Sequence, residues 1–365
     1  MKLGIIGLPN CGKTTIFNAL TGQSAPAAPF PNPLGTERHV GVIRVPDARL
    51  DRLAEMYKPR KTTWAEVTCV DITGFSRGIS ASKQKAAVFN DVRDMDAVIH
   101  VVRAFADPAI AHPDGAVDPA ADAAALELEL VFSDLELVET RLERIAASIK
   151  KGVGGDLEAE KATLEKCRGQ LEEEKPLRNL GLSEGERAAT SSLQFTSAKP
   201  ELIVLNVGED DIASPATAAA LANLEDFYRG KDAQVFSLSG KIETELSQLE
   251  PEEAKLFLDD LGIAEPAMNR VIREAYALLG LVSFLTAGED EVKAWTIQKG
   301  TPALKAAGKI HSDIERGFIR AEVVSYEDLM AASSLARARD AGAVRLEGKD
   351  YIVKDGDIIN FRFNV

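Results

Sequence analysis

Cysteine is scarce: only three occur in 365 residues, Cys11, Cys69 and Cys167, far apart and without metal-ligand spacing. That argues against a disulfide framework and a zinc site and points to a reducing compartment. Long apolar runs are missing too. No stretch approaches membrane-spanning length, and residues 3–8 are too short for a signal-peptide core and lead straight into a glycine-bearing loop. The expectation is a cytoplasmic chain with no membrane partner. Basic charge is in deficit, with 43 Lys and Arg against 57 Asp and Glu and a net charge of −14. Indiscriminate coating of nucleic acid, which draws on phosphate neutralisation, is therefore disfavoured, although a local basic face stays open. At 45% hydrophobic and 27% charged the composition is that of a soluble globular protein, and its length suggests two or three domains.

What is present is more specific. Gly7-Leu8-Pro9-Asn10-Cys11-Gly12-Lys13-Thr14 sets two glycines around four residues and follows them with Lys and Thr, between an apolar strand at 2–6 and a helical run at 15–20. This is the strand-turn-helix setting of a phosphate loop, where glycines let backbone amides curl into an anion-binding nest at a helix N-terminus. Lys13 is placed to reach the β- and γ-phosphates and Thr14 to give a hydroxyl to Mg²⁺. Asp71 and Gly74 form D-x-x-G at the end of the apolar run 65–72, the Asp for Mg²⁺ and the Gly amide for the γ-phosphate. Thr36, after a proline-rich stretch at 25–33, is the candidate for a second Mg²⁺ hydroxyl; an ordinary loop threonine is the alternative. Lys13, Thr36 and Gly74 are the expected catalytic groups.

Phe75 follows Gly74 where Ras-like switches carry a glutamine that orients the attacking water. A phenyl ring cannot do that. Slow intrinsic turnover is expected, with hydrolysis left to a backbone group, a water held by metal and phosphate, a monovalent cation or a partner. Asn10 is a candidate for holding K⁺ beside the phosphates, and a loop-stabilising amide is the other reading. The guanine-reading N-K-x-D is replaced by Asn206-Val207-Gly208-Glu209. Val207 lacks the Lys stem and Glu209 carries its carboxylate one methylene further out, so the guanine lock is lost, while Asn206 can pair with an adenine N6/N7 edge. Ser239-Gly240-Lys241 reads as a second base loop. Nucleotide contacts are expected from Asn10, Cys11, Gly12, Lys13, Thr14 and Thr15 and from Asn206, Val207, Glu209 and Ser239, with Mg²⁺ on Thr14, Thr36 and Asp71.

Apolar runs at 39–45, 65–72, 96–103 and 201–206, and a shorter one at 234–238, alternate with helical stretches. They predict an α/β fold, a doubly wound and mostly parallel sheet with its ligand at the strands' C-terminal ends. Leu128, Val131, Leu135, Val138, Leu142, Ile145 and Ile149 recur at three- and four-residue steps; glycines at 152–155 interrupt them, and Leu157, Leu164 and Leu171 recur every seven. That pattern predicts an antiparallel coiled-coil hairpin inserted in the sheet domain, its charged faces solvated or, alternatively, a partner surface. From residue 281, short strands at 281–286, 294–297, 318–324, 351–353 and 358–363 with one helix at 325–336 predict a small α+β module, with Lys354-Asp355-Gly356-Asp357 as the turn of a final hairpin. The expected domains are 1–115 with 200–280, 116–199, and 281–365.

These motifs resemble the YchF subfamily of Obg-related P-loop proteins, the Obg-like ATPases. The resemblance covers nearly the whole chain and is carried by the loop from Gly7 to Lys13, Asp71 to Gly74 with a hydrophobic successor, Asn206 to Glu209, Lys241-Ile242-Glu243 and Val117-Asp118-Pro119. It continues in Thr286-Ala287-Gly288, Ala294-Trp295-Thr296, Gly317-Phe318-Ile319-Arg320-Ala321-Glu322 and Asp355-Gly356-Asp357. It implies a C-terminal TGS domain of β-grasp type, Mg²⁺-dependent use of ATP in preference to GTP, and association with ribosomes through the hairpin and TGS domain, by large-subunit or intersubunit contacts. The expected function is an ATP-hydrolysing switch that modulates translation or a stress response; a GTP-using switch and an ATP-sensing binder without hydrolysis are the alternatives. Lys305, Lys309, Arg316 and Arg320 are candidates for rRNA contact, with scattered surface charge as the other reading. Two departures stand out. Thr36 precedes Glu37-Arg38-His39 where the family carries Asp-Pro-Asn, and Cys11 replaces an aliphatic residue near a helix N-terminus that could lower its pKa. Oxidation that blocks nucleotide is one reading of Cys11, and an inert buried thiol is the other.

Overall fold

The computed structural model describes residues 1–23, 38–79, 85–113, 115–151, 156–230 and 233–364. The proline-rich stretch at 25–33, Thr36 and the glycines at 152–155 lie outside them. The strands, in chain order, are β1 (Lys2–Ile6), β2 (His39–Arg44), β3 (Lys61–Thr63), β4 (Glu66–Asp71), β5 (Ala97–Arg103), β6 (Glu201–Asn206), β7 (Ala233–Leu238), β8 (Leu281–Ala287), β9 (Glu291–Gln298), β10 (Phe318–Val324), β11 (Arg345–Glu347) and β12 (Ile358–Phe363). The helices are α1 (Lys13–Thr21), α2 (Ala48–Tyr57), α3 (Lys85–Arg93), α4 (Pro119–Lys150), α5 (Asp156–Glu172), α6 (Glu184–Thr190), α7 (Pro215–Phe227), α8 (Gly240–Leu246), α9 (Pro251–Leu261), α10 (Ala267–Leu278), α11 (Ala303–Ile310), α12 (Ser312–Arg316), α13 (Tyr326–Ala332) and α14 (Leu335–Asp340).

The chain divides into two units, Met1–Val42 with Thr68–Val271, and Ile43–Val67 with Ile272–Val365. In the first, the sheet order β2-β4-β1-β5-β6-β7 is that of a doubly wound P-loop fold. Pairing is parallel wherever β1 meets β4 and β5, and β6 meets β5 and β7. Every residue of β5 and β6 is buried, which is why both read as largely apolar runs, broken only by His100, Arg103, Glu201 and Asn206. The register sets Arg103 beside Asn206 and Asn206 beside Leu238, so the C-terminal ends of the strands form one edge.

The hairpin leaves this sheet through α4. Asp118 accepts a hydrogen bond from Ala121 N at 3.1 Å and Pro119 fills the first turn, a strong start for a helix about 48 Å long. Its seam was legible: Val131, Val138, Leu142 and Ile145 are buried with Leu164, Cys167 and Leu171 of α5, and Leu135, Ile149 and Leu157 pack against them. The faces expected to be solvated are not uniformly so. Asp122, Glu127, Glu129 and Asp134 of α4 are buried, because residues from outside the hairpin come in to meet them.

In the second unit the sheet order is β11-β10-β12-β8-β9-β3. Its core joins Phe284, Ile297, Ala321, Val323, Ile359 and Phe361 with Ala303, Ala306 and Ala307 of α11. Three expectations change here. Residues 43–67, expected in the nucleotide domain, belong to this unit: β3 pairs in parallel with β9, Lys61 opposite Glu291 and Thr63 opposite Lys293. Arg49 of α2 reinforces this, with Nη1 donating to Asp355 Oδ2 at 2.7 Å. The turn at 354–357 does not close a hairpin: Ile352 bridges to Pro302, while β12 pairs with β10 and β8. More than one helix is present, since α11 and α12 precede α13 and α14. No helix among the described residues is long and apolar enough to cross a membrane.

Candidate nucleotide-binding site

The loop from Gly7 to Thr14 joins β1 to α1 at the C-terminal edge of the first sheet. Gly12 adopts φ +96°, and a Cβ there would lie 2.2 Å from Asn206 Nδ2, so only glycine admits this approach. It also brings no side chain to cap α1, whose first amides are left to the loop's concave side. Lys13, buried, donates from Nζ to Gly7 O at 2.9 Å and Leu8 O at 2.8 Å. Two of its three N–H groups thus brace the loop.

Beneath the loop, Thr14 Oγ1 donates to Asp71 Oδ2 at 2.9 Å. Asp71 is fully buried, its Oδ1 has no hydrogen-bond partner among the described residues, and His39 Nδ1 lies 3.6 Å from Oδ2. A buried carboxylate oxygen with nothing to pair with, next to a hydroxyl, is a donor set that suits a hard divalent cation such as Mg²⁺. Past Asp71 the chain turns at Gly74, where φ is +97°. Phe75 then points into the core and meets Phe89 edge-on at 5.7 Å between ring centroids.

On the base side, Asn206 holds two loops together. Its Nδ2 donates to Cys11 O at 2.9 Å and its Oδ1 accepts from Gly240 N at 2.9 Å. The amide expected to read adenine therefore has one N–H and one lone pair already committed, leaving its second N–H and the other lone pair of Oδ1. Val207 is buried, with its amide bonded to Leu238 O. Glu209 pairs with Lys241, Oε2 to Nζ at 2.5 Å, and Ser239 Oγ is buried without a partner among the described residues. Thr15 is tied to α8 through its carbonyl, which accepts from Thr244 Oγ1 at 3.4 Å. Asn10 sits at φ 62° and donates from Nδ2 to Ala111 O at 3.1 Å. Cys11 departs from one of its two readings: burial raises its thiol pKa, and Lys13 only partly offsets this.

Sequence reasoning missed Arg103. Buried at the end of β5, it donates to Phe105 O, Asn10 O and Ile110 O and stacks over the Phe105 ring, fixing the loop that follows. Its only sequence signal was a cation ending an apolar strand. His112, further along that loop, was missed as well; its Nε2 meets Asp122 Oδ2 at 2.8 Å.

A family model of the YchF GTPase C-terminal domain, described as a protein of unknown function, matches residues 281–364, and that of the 50S ribosome-binding GTPases matches residues 2–130. The "Ribosome-binding ATPase YchF" of Bacillus subtilis is 44% identical over the full length of both chains. The chain belongs to the YchF family. The protein of the same name from Escherichia coli O157:H7 is 43% identical, covering 100% of this chain and 99% of its own. The solved Schizosaccharomyces pombe YchF GTPase superposes with a TM-score of 0.82 at 33% identity, over 99% of this chain and 97% of that one. Family membership and the overall fold are thus supported by both sequence and structure.

Proposed function

We propose that this YchF-family chain is a Mg²⁺-dependent, ATP-hydrolysing switch that binds the ribosome, converting ATP and water to ADP and phosphate at a slow intrinsic rate. The observation that carries the choice of base is the Glu209–Lys241 pair. Guanine recognition needs a carboxylate free to accept from N1–H and the 2-amino group, and here the carboxylate of the altered motif, Glu209, carries an extra methylene and is paired with the Lys241 ammonium. Adenine asks for no such carboxylate. The names of the relatives, ribosome-binding ATPases, agree with this reading.

Thr14 and Asp71 would hold Mg²⁺, with Thr36 as the third donor, and the ion would supply charge stabilisation on the transferring phosphate. Lys13, the Gly74 amide and Thr36 would face the β- and γ-phosphates. Asn10, Cys11, Gly12 and Thr15 would surround them, with the Asn10 side-chain oxygen available to K⁺. Asn206, Val207, Glu209 and Ser239 would line the base. Phe75 is buried in the core, so no side chain at that position orients water, and turnover is left to a backbone group, a water held by metal and phosphate, K⁺ or the ribosome. The hairpin and the TGS unit would meet the ribosome, by large-subunit or intersubunit contacts, in the cytoplasm. For rRNA, Lys309 and Arg320 are better placed than Lys305 and Arg316, which pair with Glu315 and Asp313.

Parallel ATP and GTP titrations with Mg²⁺, followed by single-turnover phosphate release with ribosomes and K⁺, test the proposal. ATP should bind more tightly and be hydrolysed faster when ribosomes are present. Tighter GTP binding would overturn the base assignment, and absent hydrolysis would leave a nucleotide sensor.

A further inference from the structure

The four buried acids of α4 fall into two pairs, Asp122 with Glu129 and Glu127 with Asp134. Members of a pair are seven residues apart and share a helix face, and the two faces are separated by about 140°. The second pair roots the hairpin. Asp134 accepts from the amides and hydroxyls of Thr196 and Ser197, and Glu127 lies 3.9 Å from Arg178, which also pairs with Glu201 of β6. The first pair faces elsewhere. Arg77 Nη2 donates to Asp122 Oδ1 at 3.1 Å, and Gly78 N donates to Glu129 Oε1 at 2.5 Å. Both donors belong to the segment that follows Gly74. Phe75, between Gly74 and these donors, shares a core with Leu126 and Leu130 of α4. One helix therefore grips residues 75–78 through an apolar anchor and two carboxylates, and the same helix continues into the coiled-coil hairpin.

We propose that Asp122 and Glu129 are positioning residues for ATP hydrolysis, which fix the Gly74–Gly78 segment on α4 and so couple the state of the nucleotide to the hairpin. The proposal rests on the reading of Gly74 as the γ-phosphate contact. A carboxylate suits this task because its hydrogen bonds to Arg and to a backbone amide are charge-assisted and short, so the segment has one strongly preferred seat instead of several. His112 also bonds Asp122, and its neighbour Ala111 accepts from Asn10, so the phosphate loop reaches the same carboxylate.

The test uses the full chain and its Asp122→Asn, Glu129→Gln and Asp134→Asn variants. ATP affinity, steady-state turnover with ribosomes, and hydrogen exchange along residues 119–150 with a non-hydrolysable ATP analogue and with ADP are measured for each. Asp122→Asn and Glu129→Gln should keep ATP affinity, lose about tenfold in kcat with little change in KM, and lose most of the exchange difference between the two nucleotides. Asp134→Asn, on the other face, should lower thermal stability and keep that difference. Unchanged kcat in both first-pair variants, or an intact exchange difference in them, overturns the clamp. Failure of the unmodified protein to bind ATP with Mg²⁺ overturns the nucleotide reading together with the clamp, which makes the two failures distinguishable.

Discussion

Replacing Asn206 with Ala removes a side chain that ties the phosphate loop to the start of α8. Its two hydrogen bonds, each 2.9 Å, satisfy Cys11 O and Gly240 N, and the residue is only 5% exposed. Truncation leaves a buried carbonyl and a buried amide without their partner, at about 1–3 kcal/mol each before relaxation, so a net loss of about 2–4 kcal/mol is expected. At ~2–4 °C per kcal/mol for a unit of about 250 residues, the melting temperature should fall by about 4–16 °C. Asn206→Asp tests the geometry more sharply: it keeps an acceptor for Gly240 N but sets a carboxylate oxygen against Cys11 O, and should be no better than Ala. Calorimetry without nucleotide, then with Mg²⁺ and ATP, separates stability from ligand organisation. Both variants should also bind ATP at least about tenfold more weakly, because the loops no longer share a tether. A melting temperature within about 2 °C of the unmodified protein, or a large drop with intact ATP affinity, would refute the view that this amide organises the site.

Two other outcomes can be checked directly. Burial raises the thiol pKa of Cys11 and Cys69, and pushes Cys167 up to about 11, so all three stay protonated in the native state until the pH passes these raised values. Iodoacetamide at about pH 8 should label none of them in the native protein and all three after unfolding, because only the thiolate reacts; rapid labelling of native Cys11 would contradict its burial. Arg49→Ala should destabilise the second unit by only about 1 kcal/mol, since the pair with Asp355 is part-exposed. Asp355→Ala should cost more, because Asp355 Oδ1 also accepts from Ser283 N at 2.8 Å. Urea unfolding that ranks the two variants in the opposite order would argue against this.

The parts of the fold that were legible are those in which burial is written in the local pattern. β5 and β6 are wholly buried and so wholly apolar at all but a few positions, and the hairpin repeats its seam over several heptads. β3 had no such signature. Lys-Thr-Thr is a strand only because β9 lies alongside it, from a segment more than two hundred residues away. The turn at 354–357 shows the same limit from the other side: Gly356 does take a positive φ of 81°, as the local chemistry demands, but the partners of β12 are β10 and β8, and turn residues cannot name a distant partner. At the site, the spacing of Gly7, Gly12, Lys13 and Thr14 predicted a loop that converges because it is a local structure, and Asp71, 57 residues beyond Thr14, was read from its place in a D-x-x-G at a strand end. Arg103 was invisible, since its carbonyl partners, Phe105 and Ile110 of the loop after β5 and Asn10 of the phosphate loop, come together only in the folded chain.

Phe75 joins these two levels. At the level of sequence it is a loss, a phenyl ring where a water-orienting amide would stand in a Ras-like switch. In the structure it is also a gain, since the ring is buried against Phe89, Leu126 and Leu130, and two of those three neighbours lie on α4. A glutamine at 75 could not occupy that seat without burying an unpaired amide, at a cost of about 1–3 kcal/mol, and would swing out toward solvent. The substitution that removes a catalytic side chain therefore supplies the apolar anchor by which the hairpin helix holds the segment after Gly74. On the proposed clamp, a Phe75→Gln chain should lose the nucleotide response of residues 119–150 without gaining appreciable turnover.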